Sequence, residues 1–310
     1  MDGDDSGGAG VVFSPDGEEV AVPIGLGVGR WQTSTWRPLP TLPISALENS
    51  PGCCGYTPDG RSVAVGSGSV FVFDRVTAEL CQTLRPASQS TGGTTALSYN
   101  ALAFSPDGKF LAVADSTGTV RVFAQAGGIV EAKALVTVRG SDGRDDGTQV
   151  LAFSPDSTLL AAGALGGDIE LWDTSSWKPA RTLVGRTATA ARTQTMSTSA
   201  LAFSPDARYI AGGLTALQVW NSADGAHLFS IDKLTPGGCS GLAFVGKSEL
   251  LALDQQGDVT LWDVERQRSV IAWSAGDPPV ESLAVSPDGR TILIGESGLC
   301  GVYALDPVAQ

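Results

Sequence analysis

One short unit, repeated along the whole chain, limits what this sequence can fold into. Its clearest copy is Ala101-Leu-Ala-Phe-Ser-Pro-Asp-Gly108. Others are Val11-Val-Phe-Ser-Pro-Asp-Gly17, Gly55-Tyr-Thr-Pro-Asp-Gly60, Leu151-Ala-Phe-Ser-Pro-Asp156, Leu201-Ala-Phe-Ser-Pro-Asp206, Leu242-Ala-Phe244 and Leu283-Ala-Val-Ser-Pro-Asp-Gly289. Measured at the aromatic position (13, 56, 104, 153, 203, 244 and 285), the seven copies are spaced by 43, 48, 49, 50, 41 and 41 residues. Self-similarity at such a period indicates stacked supersecondary units that bury their apolar faces against one another.

Each copy reads as a strand and a turn. In extended chain Leu102 and Phe104 share one face and Ala101 and Ala103 the other. In Ser-Pro-Asp-Gly the proline presets φ at the first central position, aspartate suits the second, and glycine supplies the positive φ that closes a hairpin. A second β-rich run follows (Phe110–Ala114, Leu159–Gly163), then a third ending in an aromatic (Ile169–Asp173, Leu217–Asn221, Val259–Asp263) and a looser fourth (Pro179–Val184). No helical period is present. Four strands per unit and seven units predict an all-β, seven-bladed β-propeller of four-stranded antiparallel blades. One domain is expected over 11–306, with blades starting near 11, 53, 101, 150, 200, 241 and 282, a disordered acidic and Gly-rich stretch at 1–10, and a tail at 307–310.

The strand-ending pairs Trp172-Asp173 and Trp262-Asp263, with their relatives Trp31-Gln32, Phe73-Asp74, Phe123-Ala124, Trp220-Asn221 and Tyr303-Ala304, make the chain resemble the WD40 repeat proteins from about residue 11 to 306. The Ser-Pro-Asp-Gly turns look like the bacterial side of that family. TolB-like propellers share the turn but usually lack Trp-Asp. Two features depart from the family pattern. Its Gly-His dipeptide is missing, since His227 is the only histidine, and its turn aspartate six residues before the Trp position is replaced by Thr117, Gly166 and Gln256. The family's buried Asp-His-Ser/Thr-Trp network is therefore not carried over, and blade stability is expected to rest on strand pairing and apolar packing.

Composition narrows the function classes. Apolar content of 42% with 17% charged residues suits a core-rich globular chain. A net charge of −13 argues against nucleic acid and anionic membrane surfaces as partners. No apolar run approaches the roughly 20 residues of a spanning helix, and Met1-Asp-Gly-Asp-Asp5 is not a signal peptide. A cytoplasmic, monomeric ring is expected. The five cysteines (53, 54, 81, 239, 300) form no Cys-x-x-Cys pair. Cys53 and Cys54 occupy strand register and read as buried apolar residues. No metal or cofactor is expected.

Candidate binding residues come from loop lengths. From each leading aromatic to the Trp position the spacing is 17 to 19, while from there to the next aromatic it is 25, 31, 30, 31, 24 and 23. The extra length follows the third strand of units two, three and four. It falls in 86–100, 125–131, 139–149 and 185–199. By resemblance, blade-to-blade connections emerge on the face WD40 rings use most for binding. Asp142, Arg144, Asp145 and Asp146 would then face Arg186 and Arg192 across a recognition surface. The alternative is solvated connections without a role. The spacing of Asp142, Asp145 and Asp146 fits no EF-hand. A second set, Asn100, Gln149, Ser199, Ser240 and Glu281, stands four residues before the leading aromatics and would ring one mouth of the channel, as ligand contacts or as ordinary strand-start residues. Trp36 and Trp177 each lie five residues beyond the Trp position and are expected to pack the outer strands.

Catalysis has little to stand on. There is no Gly-x-Ser-x-Gly elbow, and the Gly25-x-Gly27 and Gly66-x-Gly68 pieces lie in strand-rich repeats. The expected function is a non-catalytic scaffold for a neutral or basic protein or peptide. The alternatives are a propeller hydrolase or lactonase with its site at the channel mouth, or a regulatory propeller trimmed from a larger protein. The last unit supplies three strands only. It is expected to stay three-stranded or to be completed by a terminus.

Overall fold

The computed structural model describes residues 10–25, 27–42, 51–85, 98–126, 129–131, 134–138, 150–163, 168–184, 200–213, 217–231, 238–275, 280–296 and 299–304. They form seven antiparallel sheets in chain order. Blade one holds β1 (Val12–Phe13), β2 (Glu19–Ile24) and β3 (Gly27–Gln32). Blade two holds β4 (Cys53–Tyr56), β5 (Ser62–Gly66), β6 (Val70–Asp74) and β7 (Leu80–Leu84). Blade three holds β8 (Tyr99–Phe104), β9 (Phe110–Asp115), β10 (Val120–Ala126), β11 (Ile129–Val130) and β12 (Val136–Val138). Blade four holds β13 (Val150–Phe153), β14 (Leu159–Gly163), β15 (Ile169–Asp173) and β16 (Lys178–Leu183). Blade five holds β17 (Ala200–Phe203), β18 (Tyr209–Gly213), β19 (Leu217–Asn221) and β20 (His227–Ile231). Blade six holds β21 (Cys239–Phe244), β22 (Glu249–Asp254), β23 (Asp258–Asp263) and β24 (Arg268–Ser274). Blade seven holds β25 (Val280–Val285), β26 (Thr291–Glu296) and β27 (Leu299–Ala304).

The inner strands β1, β4, β8, β13, β17, β21 and β25 touch one another in cyclic order, with β25 meeting β1, so the ring is closed. The expected seven-bladed propeller is the fold of this chain, and among the described residues its last blade has three strands. Two other blades also depart from four regular strands. In blade three the outer position is shared by β11 and β12, both of which pair with β10. In blade one it is reduced to the bridges Trp31↔Pro38 and Val28↔Leu42. Pro38 and Pro40 have no N–H to give to a ladder; Leu39 and Leu42 donate to Arg30 O at 2.9 Å and Val28 O at 3.3 Å, and Arg37 O accepts the Gln32 N–H at 3.0 Å.

The Ser-Pro-Asp turn is one hydrogen-bonded device used six times. In blade three the Ser105 hydroxyl donates to Asp107 Oδ1 at 2.7 Å and accepts the Phe110 N–H at 2.9 Å, while Asp107 Oδ1 also accepts the Lys109 N–H at 3.1 Å. The same three bonds recur around Ser14, Thr57, Ser154, Ser204 and Ser286. Four of these residues (Ser14, Thr57, Ser105 and Ser204) have no measurable exposure. The hydroxyl thus satisfies buried backbone that would otherwise cost about 1–3 kcal/mol per group. Polar turn networks therefore share with apolar packing the stability expected of packing alone.

The residue after the turn aspartate has positive φ throughout. It is glycine in blades one, two, three and seven, but Ser157 (φ 60) in blade four and Ala207 (φ 59) in blade five. Ser157 is compensated, because its hydroxyl accepts the Asp107 N–H of blade three at 3.0 Å. Nothing similar holds Ala207. Ala207→Gly is therefore expected to raise stability by about 1 kcal/mol, the cost of a left-handed L-residue, and Ser157→Gly to give no gain. Urea unfolding of the two variants beside the parent checks this.

Candidate binding site

Antiparallel connectivity divides the ring into two faces. The turns between first and second strands and between third and fourth strands lie at one end of every sheet. The second-to-third turns and the blade-to-blade connections lie at the other.

At the connection end stand the expected channel-mouth positions. Asn100, Ser240 and Glu281 are the extra residues of β-bulges, since Tyr99 pairs with Asp115 but Ala101 with Ala114, and the same shift occurs at Cys239/Gly241 and Val280/Ser282. Opposite each bulge stands an acid: Asp115, Asp254 or Glu296. In blades two, four and five that place is Gly66, Gly163 or Gly213, and no bulge forms. A side chain at Gly66 has no room, because its Cβ would fall 2.5 Å from Cys53 Sγ. Asn100 Oδ1 accepts the Ser98 hydroxyl at 3.1 Å, and Ser240 Oγ reaches Leu253 O at 3.5 Å. Gln149 and Ser199 lie outside the described residues. So do Asp142, Arg144, Asp145, Asp146, Arg186 and Arg192.

Asp115 and Asp254 are functional turn residues that the reading by family spacing missed. They stand eight residues before Phe123 and Trp262, two earlier than the family position. Asp115 is fully buried, accepts the Thr117 N–H at 2.9 Å and the Thr119 N–H at 3.2 Å, and pairs with Arg121. Asp254 accepts the Gln256 and Asp258 N–H groups at 2.9 and 3.0 Å. The indole N–H groups of Trp172 and Trp262 are buried without a hydrogen-bond partner among the described residues.

The channel is apolar toward the Ser-Pro-Asp end. There a cavity of about 400 Å³ is lined by Phe13, Cys54, Tyr56, Leu102, Phe104 and Val285, among others. Cys53 and Cys54 alternate between two inter-blade cores. Burial pushes the Cys53 thiol up to about 12, Cys54 higher still, and Cys239 to about 12, so these thiols stay protonated and unreactive. Among the described residues no three His, Cys, Asp or Glu side chains come together as a metal site.

The largest charged cluster joins blades one and two and has no marker in the repeat. Arg30 pairs with Glu19 at 2.8 Å, and Arg75 pairs with Glu19 at 2.9 Å and with Asp16 at 2.6 Å. Arg30 and Arg75 are buried, and the Tyr56 hydroxyl donates to Glu19 Oε2 at 3.3 Å. Partial burial pushes Asp16 up, but the Arg75 guanidinium, the Ser14 hydroxyl and the Glu18 N–H more than offset it and hold the carboxyl at about 2.

Family comparison agrees with this geometry. The model for the WD domain, G-beta repeat, matches residues 89–123 and 137–173. A chain from a structure titled "Crystal Structure of Mitotic Checkpoint Complex" superposes with a TM-score of 0.79 at 19% identity, over 96% of this chain and 86% of that one. The chain therefore carries WD40 repeats in blades three and four of a seven-bladed propeller. A curated relative, telomerase protein component 1 of Rattus norvegicus, is 27% identical over 211 residues, which is 67% of this chain and 7% of that protein. This chain thus spans about 7% of the length of the curated relative it matches. WD40 propellers are typical protein-interaction scaffolds. Among the described residues no helix is long and apolar enough to cross a membrane.

Two outcomes follow from the charges. Arg75→Ala leaves Glu19 buried without its second cation and is expected to cost about 3 kcal/mol. Arg208→Ala, which breaks an exposed 3.5 Å pair with Glu265, should change stability by less than about 0.5 kcal/mol; urea midpoints at equal slope compare them. Asp16 and Asp173 are depressed from 3.8 to about 2, Asp173 by the Ser175 and Ser176 hydroxyls and N–H groups. A depressed folded-state pKa contributes stability above the unfolded value and loses it as pH falls through the folded one. Stability should therefore hold down to about pH 4 and fall between pH 4 and 2, and an acid titration of Asp16→Asn should show a smaller fall.

Proposed function

We propose that this WD40 propeller is a non-catalytic scaffold that binds a neutral or basic protein segment on its blade-connection face. The observation that carries this is the closed ring of inner strands. It fixes the strand ends Leu84 and Tyr99, Val138 and Val150, and Leu183 and Ala200, which bracket the three longest connections, at one end of the sheets. Loops held at both ends by a rigid scaffold bind with a small ordering cost. Asp142, Arg144, Asp145, Asp146, Arg186 and Arg192 are the side chains we assign to recognition. Asn100, Gln149, Ser199, Ser240 and Glu281 border the channel mouth inside that face as a secondary contact ring.

The functional step is analogy with WD40 scaffolds rather than a consequence of fold. The acidic surface, at net charge −13, disfavours acidic partners and speeds encounter with basic ones. A hydrolase reading would need acid, base or metal groups at the channel mouth. Asn100 and Ser240 there are neutral and bond within their own blades, and the acids opposite them, Asp115 and Asp254, accept N–H groups of their own turns.

A pull-down with the purified ring tests the assignment beside a variant carrying Asp145→Ala, Asp146→Ala, Arg186→Ala and Arg192→Ala, with circular dichroism to show equal folding. A partner held by the parent and lost by the variant is the expected result. Equal capture by both moves the site off these loops.

A further inference from the structure

At the Ser-Pro-Asp end, one seam brings together the residue five places after the turn serine of one blade and the left-handed residue in the third-to-fourth-strand turn of the next. At the seam of blades three and four these are Phe110 and Trp177, packed edge to face with ring centroids 5.0 Å apart. Trp177 has φ 53, a conformation that costs a bulky residue about 1–3 kcal/mol. The ring contact offsets part of that cost. Blade five has Gly225 at this position, with no such strain.

At the seam of blades seven and one the equivalent positions are Thr291 and Trp36, which line one cleft. Trp36 carries the same φ of 53, so the strain is present, yet the ring is 41% exposed. Threonine does not fill the volume that Phe110 fills. What remains is a cleft of about 490 Å³ lined by Trp36, Phe13, Pro287, Thr291, Asp16 and Asp288, within the size range of ligand sites. This seam also has the smallest of the seven inter-blade cores among the described residues, with only Val11, Val20 and Leu293 buried.

The two carboxylates in the cleft differ. Asp16 is engaged by Arg75. Asp288 uses Oδ1 to accept the Ser286 hydroxyl at 2.5 Å and the Arg290 N–H at 3.1 Å, and it makes no ion pair among the described residues. An open indole face beside an unpaired carboxylate suits a flat cation. Guanidinium stacks on the ring and donates to the acid at once, and the net charge of −13 favours its approach.

From this geometry we propose that the cleft between blades seven and one is a second docking site, which takes an arginine side chain of a basic partner segment between Trp36 and Asp288. It lies at the opposite end of the sheets from the blade connections and does not depend on them. A partner could then be gripped on both faces of the ring, or two partners held at once.

The test follows the indole N–H resonances of the ¹⁵N-labelled protein, with Trp36 assigned by the signal lost in Trp36→Phe. The probes are a capped Gly-Gly-Arg-Gly-Gly peptide and the same peptide with citrulline, which keeps the shape and removes the charge. The arginine peptide should shift the Trp36 signal saturably and bind about tenfold tighter than the citrulline peptide, a difference of about 1.4 kcal/mol. Thr291→Phe, which fills the cleft as Phe110 does, should abolish the shift. Asp288→Asn keeps both bonds of its turn and should weaken binding to the citrulline level, so it decides the matter if Thr291→Phe does not fold. An unmoved Trp36 signal, equal binding of the two peptides, or binding that survives both Thr291→Phe and Asp288→Asn would overturn the site. None of these outcomes bears on the connection face, whose loops are unaltered in every variant.

Discussion

The hydroxyl of the Ser-Pro-Asp turn is the contact on which the ring depends most widely. It donates to the aspartate two residues on and accepts the N–H five residues on, so one side chain closes the hairpin between first and second strands in six of seven blades. The consequence is geometric. The same turn ends the inner strand of six blades, and seven inner strands touch in cyclic order around one channel. The sixth blade lacks the motif. Its hairpin closes through backbone alone, with the Val245 N–H on Glu249 O at 2.9 Å. One missing copy is tolerated because the neighbouring blades still hold β21 on both flanks.

With the turns set, each seam becomes a local problem, and the chain solves it with different chemistry each time. Glu19 occupies in blade one the place that Phe110 has in blade three, and there the seam is an ion cluster with Arg30 and Arg75 rather than a ring contact. Buried pairs of this kind are costly to break but contribute little beyond what apolar groups would. Their value is in matching, because a blade carrying Arg75 fits only a neighbour that offers Glu19 and Asp16. Such pairing helps to order seven similar units.

The fold was legible because its signals are local and repeated. Residues such as Phe104, Pro106 and Gly108 state strand, turn and positive φ within five positions, and seven copies leave little choice of architecture. The same signals gave three strands for the last blade and left open whether a terminus completes it. The seam cluster was not, because Glu19, Arg30 and Arg75 are far apart in sequence and each looks like an ordinary surface charge. Asp115 and Asp254 escaped a reading tied to family spacing, since each stands two residues before the position that spacing inspects. Trp36 and Trp177 were legible as equivalents, and the difference between them lies in Phe110 and Thr291, residues of other blades.

The bulges show how a repeat can vary without losing register. Where glycine ends the second strand, as at Gly66, the inner strand passes close beside it and pairs regularly. Where an acid stands there instead, the inner strand takes an extra residue, and Asp115 and Asp254 turn to the backbone of their own turns, as Asp115 does to Thr117 and Thr119. The extra residue restores the pairing beyond it, so Phe104 still faces Leu111 as Phe153 faces Leu160. The perturbation is thus confined to the connection end of blades three, six and seven, and the Ser-Pro-Asp end keeps its turn in six of the seven blades. Variation at one end and uniformity at the other is what a ring needs if its blades must stack identically while its connecting face differs from sector to sector.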